Sequence, residues 1–168
     1  MNRFLVPVAL LLSLTLLAGC QKAEEEVEAA PAALVAPAGG DDMAWKEYLG
    51  KVVGQNQEGV TDRVFPYYLP MNSDVVGEAD KDGRSQYARQ LENVNNVVLR
   101  TVLPGNMLAF GSPDSTKMAD LIVAAFTGAE PDALQGSQVL FIGSTADRDR
   151  VKAAVEAAGA RYIFVEAK

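Results

Sequence analysis

MLAFGS at Met107–Ser112 recurs as VLFIGS at Val139–Ser144. Each run is short and apolar and ends in Gly-Ser. Each also leads into apolar residues at helical spacing: Met118, Leu121, Ile122, Ala125 and Phe126 after the first, Val151, Ala154, Val155 and Ala158 after the second. A third run, Tyr162-Ile163-Phe164-Val165, follows the break at Gly159. Short apolar runs alternating with helical patterns of this length mark parallel strands joined by helical crossovers, which are nearly always right-handed. The spacing therefore predicts an α/β domain with a three-stranded parallel βαβαβ sheet over about 107–166.

Outward from that repeat, two covering helices are expected. Asp41-Asp42 is a helix start, and Trp45, Leu49, Val52 and Val53 share a face, which predicts a helix over 42–54. Tyr87, Leu91, Val94, Val98 and Val102 form a second stripe over 84–103, stopped by Pro104-Gly105. Residues 41–168 are the size of one domain and can bury a core without disulfides.

Between these helices, Val64-Phe65-Pro66-Tyr67-Tyr68-Leu69-Pro70 sets three aromatics among two prolines. A proline inside such a run demotes it to an edge strand or an extended loop. The simpler reading is a loop strapped onto the domain by its aromatics. The sharper one makes Phe65, Tyr67, Tyr68 and Leu69 a protein-interaction loop, because tyrosine offers apolar area and a hydroxyl at small entropic cost. Glu78 to Gly83 has the glycine of a calcium loop at position 6, but Arg89 stands where the bidentate Glu belongs, so no metal site is expected.

The chain has no histidine, which removes Ser-His-Asp and Cys-His nucleophilic sites and the usual histidine-bearing metal centres. No obvious catalytic base remains, so a non-catalytic role without a cofactor is expected, with an enzyme using carboxylate, Tyr or Lys chemistry in third place. In an open α/β sheet, ligands bind beyond the carboxyl ends of the strands. Gly111-Ser112 and Gly143-Ser144-Thr145 would lie there, with Ser112 and Ser144 as helix caps. Helix N-termini attract anions, which makes these turns a candidate site for a small anionic or carbohydrate ligand. Such turns also need caps in sheets that bind nothing. Asp114 and Asp147 beside them would repel an anion. The P-loop spacing fails, since Thr116 and Met118 stand where Gly and Ser/Thr are required.

The N-terminus says where the chain is expected to live. Met1-Asn2-Arg3 is a basic start, and Phe4–Leu17 is an apolar segment short of the roughly 20 residues a spanning helix needs. It closes in Leu17-Ala18-Gly19-Cys20, which resembles the lipobox of bacterial lipoproteins. The resemblance covers the signal alone. It implies removal of residues 1–19, cleavage between Gly19 and Cys20, and diacylglyceryl and palmitate-type acylation of Cys20. More than one acyl chain makes membrane attachment firm, at about 0.8 kcal/mol per buried methylene. In that class an Asp after the cysteine retains the protein at the inner membrane of Gram-negative bacteria; Gln21 here points to the periplasmic face of the outer membrane. Cys20 is the only cysteine, so acylation would leave no stray thiol.

Residues 20–40 then form a lipidated Ala/Glu/Pro linker expected to be disordered, reaching at most about 65 Å when extended. The 22 Asp and Glu against 15 Lys and Arg give a net charge of −7, and loss of Arg3 makes it one unit more negative. An acidic surface argues against nucleic acid and against charge-driven docking on anionic headgroups. The partners expected are the membrane, through Cys20, and a protein of the cell envelope.

Overall fold

The computed structural model describes residues 34–77, 81–100 and 102–168. The signal segment with Gly19 and Cys20, and Glu78–Asp80, lie outside the described residues. The elements are α1 (Asp42–Gln55), β1 (Val64–Tyr68), α2 (Gln86–Leu99), β2 (Met107–Gly111), α3 (Ser115–Phe126), β3 (Gln138–Gly143), α4 (Thr145–Ala157) and β4 (Arg161–Glu166). The sheet has four strands, not the three expected, in the order β1-β2-β3-β4, all parallel.

The added strand is the proline-containing run. Met107 N–H donates to Arg63 O and Leu69 N–H to Gly111 O, so the odd-numbered backbone groups of β1 face β2. Pro66, which lacks an N–H, falls on the free edge, where no ladder bond is lost. The strand needs no other concession to its proline. With β1 in place, the segment over α2 becomes a crossover. Stepwise order with one crossover hand puts α2, α3 and α4 on the same face, and α1 covers the opposite one.

The two faces carry separate cores. Toward α2–α4 lie Tyr67, Leu108, Phe110, Val139 and Phe141, with Met118, Leu121, Ile122, Val151 and Val155 from the helices. Register aligns Tyr67, Phe110, Phe141 and Phe164 in one aromatic row across all four strands. Toward α1 lie Met107, Ala109, Leu140 and Ile142, covered by Trp45, Tyr48, Leu49 and Val52. Both faces of β2 and β3 are sealed, which is why those strands read as unbroken apolar runs.

Two boundaries differ from expectation. The second helix is α2, which starts after its cap Ser85 and ends at Leu99 instead of running over 84–103. Pro104 disfavours helical backbone at Leu103, so the chain leaves the helix early and still delivers Val102 to the core. Packing also begins before residue 41. Leu34 and Ala36 lie against the α1-side core, and Ala36 N–H donates to Lys168 O at 2.7 Å. Residues 34–40 are thus a strap on the domain, held at its other end by the Trp45 indole N–H on Gly39 O at 2.8 Å.

Candidate functional site

The carboxyl ends of β2 and β3 gather the Gly-Ser turns as expected, but their polar groups serve one another. Ser112 is buried and its Oγ accepts from Asp114 N–H at 3.0 Å; it does not cap a helix. The cap of α3 is Asp114, whose carboxylate accepts from Lys117 N–H at 3.0 Å. Ser144 does cap α4, accepting from Ala146 N–H at 3.2 Å.

Between the two turns sits Ser115. Its hydroxyl donates to Asp147 Oδ2 at 2.7 Å and accepts from Ser144 N–H at 2.7 Å. The reciprocal bond of a capping box, expected directly from Asp147 to Ser144, is made through this inserted hydroxyl. The other Asp147 oxygen accepts from Arg150 Nε at 3.0 Å and Nη2 at 2.8 Å, and Arg150 also pairs with Asp120 on α3. Burial works against the charge on Asp147, but hydrogen bonds from Ser115 and Arg150 outweigh it and hold the carboxyl below the usual Asp range. Gly143 has to be glycine: a Cβ there would strike the Phe141 ring and come within 2.6 Å of Ser115 Oγ.

An internal carboxylate therefore lies at the α4 N-terminus, where an anionic ligand would have to sit. The sheet order adds to this, because strands in steps never reverse direction and open no crevice at a switch point. What exists is a groove of about 580 Å³ between the strap and the turns. Ser112, Ser115, Ser144 and Trp45 line it, and Gly111, Gly143 and Thr145 adjoin it in the chain. Glu166 and Lys168, ion-paired with each other, line it as well, and its serine oxygens accept from neighbouring backbone N–H groups, so the groove can hydrogen-bond a small polar group. Among the described residues no group of three or more His, Cys, Asp and Glu is placed to hold a metal ion.

The proposed interaction residues are split by the strand they form. Tyr67 is buried and stacks on Phe110, centroids 5.0 Å apart. Leu69 is buried too. Tyr68 lies on the α1 face, its hydroxyl donating to Asp42 at 2.8 Å with the Lys46 ammonium 5.2 Å from the ring centre. Burial, then the nearby Asp42, push its hydroxyl pKa upward. Phe65 alone opens onto an apolar groove, of about 270 Å³, formed with Val97, Val102 and Leu103 and edged by Asp62 and Arg63. Leu103, which lines the groove, and Leu99 at the end of α2 are 62% and 57% exposed, high for leucine in a molecule with two sealed cores.

Sequence reasoning missed Ser115, Arg150 and the groove below α2. A signal for Ser115 existed: it holds the same position in the first Gly-Ser unit as Asp147 in the second. Comparison with protein-family models, characterised proteins and solved structures finds no match. No described helix is long and apolar enough to cross a membrane.

Proposed function

We propose that this chain is a lipoprotein of the Gram-negative envelope, anchored through Cys20 at the periplasmic face of the outer membrane, which Gln21 favours, and that its domain is a non-catalytic protein-interaction module. The observation that carries the interaction role is the contrast between the two ends of the sheet. At the carboxyl end the polar groups are satisfied internally, while at the amino end an apolar groove stands open with Leu103 exposed in its lining and Leu99 exposed at the end of α2. Exposed apolar patches rimmed by polar residues mark interaction sites. The anchor is supported by the lipobox resemblance and by the single cysteine.

The experiment is co-purification from solubilised envelopes with full-length wild type and the double variant Leu99→Asp, Leu103→Asp. Both side chains are mostly in water, so the melting temperature should stay within a few degrees. Captured envelope protein should fall at least tenfold. Equal capture by a folded variant overturns the groove as the interaction site.

A further inference from the structure

The groove below α2 differs in charge from the chain as a whole. Phe65, Val97, Val102 and Leu103 give it apolar walls, and Asp62 and Arg63 are its charged lining residues. Arg63 Nε lies 3.8 Å from the Asp62 carboxylate, with the arginine side chain 76% exposed. An exposed pair at that distance neutralises little of either charge. A second guanidinium is that of Arg100, which follows α2 midway in the chain between the groove-lining Val97 and Leu103. Arg100 is exposed and has no ion pair among the described residues. No acidic residue stands anywhere from Asn93 to Asn106. Two guanidiniums are thus set against one carboxylate, in a chain whose net charge is −7.

Shape narrows what can bind there. The free edge of β1 beside the groove carries Pro66, which has no N–H to offer an added strand. The volume of about 270 Å³ is below the roughly 300–1,000 Å³ of small-molecule pockets. What fits is side chains inserted from a partner's surface, as when an amphipathic segment lays its apolar face into a groove.

We infer that the groove binds an acidic amphipathic segment of a partner protein, whose apolar side chains enter against Phe65 and Leu103 and whose Asp or Glu residues meet Arg63 and Arg100. This rests on the reading of the groove as an interaction site and adds the chemistry of what enters it. Charge complementarity selects the acidic flanks. The screening length at physiological ionic strength is about 8 Å, so carboxylates elsewhere on this chain weigh little against guanidiniums at the groove. Arginine also binds carboxylate through two parallel hydrogen bonds, which orients the segment as well as attracting it. Arg100 offsets the carbonyl end of α2 in part; Arg63 has no such second role.

The test is fluorescence anisotropy of two labelled peptides that share one leucine stripe at helical spacing, the first flanked by Glu and the second by Gln. Full-length protein in detergent is titrated into each, with protein-free micelles as the blank. At physiological salt the Glu peptide should bind about tenfold tighter, within what two exposed ion pairs supply. In the double variant Arg63→Glu, Arg100→Glu that preference should vanish or reverse, with the melting temperature within a few degrees of wild type because both side chains are exposed. Equal binding of the two peptides by wild type, binding of neither, or a Glu preference that survives the double variant overturns the acidic partner. The groove is judged separately by the Gln peptide: binding unchanged in Leu99→Asp, Leu103→Asp places the peptide elsewhere, whatever the charge preference. A Glu preference found only after Glu24, Glu25, Glu26 and Glu28 are changed to Gln would make the chain's own acidic linker the occupant and overturn the partner as well.

Discussion

Tyr67→Ala should cost about 3–5 kcal/mol of folding stability, the usual range for deleting a large aromatic side chain from a packed core. Its neighbour Tyr68→Ala should cost less, about 1–3 kcal/mol, for one hydrogen bond to Asp42 and a half-buried ring. The difference follows from strand alternation. Tyr67 is buried and stacked on Phe110, whereas Tyr68 lies half-exposed on the other face against α1. A domain of ordinary stability, about 5–15 kcal/mol, would lose a large part of it in the first variant. Urea melts of the two variants check this, and equal losses would contradict the placement of β1 as a strand of the sheet.

The second large effect is at Asp147. Asp147→Asn removes the charge that Arg150 pairs with and weakens the hydroxyl bridge to Ser144, at a cost of about 1–3 kcal/mol at neutral pH. The pH dependence has a definite sign. Because the folded-state pKa is lowered, the carboxylate stabilises the fold above the ordinary Asp value of about 3.9, and that stabilisation is lost as pH falls through the folded value. The gap between wild type and variant should be widest near pH 7 and close progressively below pH of about 4. Melting curves across that range measure it. A gap that stays constant would show that the charge of Asp147 is not what stabilises the turns.

The repeat made most of this architecture legible. Buried on both faces, β2 and β3 show as continuous apolar runs, and the Gly-Ser ends mark where α3 and α4 begin. The β1 strand was harder, because Pro66 weakens the pattern and only the register shows that its missing N–H points off the sheet. The early end of α2 was hidden because Val102 keeps helical spacing while the chain is no longer helical. Leu34 and Ala36 sit in an Ala/Glu/Pro stretch whose composition reads as linker, yet two apolar side chains and one hydrogen bond to Lys168 suffice to lay it on the domain.

At the candidate site, sequence located the turns but not their state. Ser144 was visible as a helix cap, whereas Ser112, read the same way, instead accepts from Asp114 N–H. That Ser115 joins Ser144 to Asp147 depends on parallel register between β2 and β3, a tertiary fact. The groove containing Phe65 was invisible for a similar reason, since Phe65 meets Val97 and Leu103 only once β1 packs beside α2.

The anchor is the centre of the functional account, and intact mass measurement of the full-length protein purified from envelopes tests it most directly. The account predicts a chain that begins at Cys20 and carries the added mass of a diacylglyceryl group, with an acyl chain on the new N-terminus. A chain that retains residues 1–19, or one that begins elsewhere with an unmodified Cys20, would contradict it.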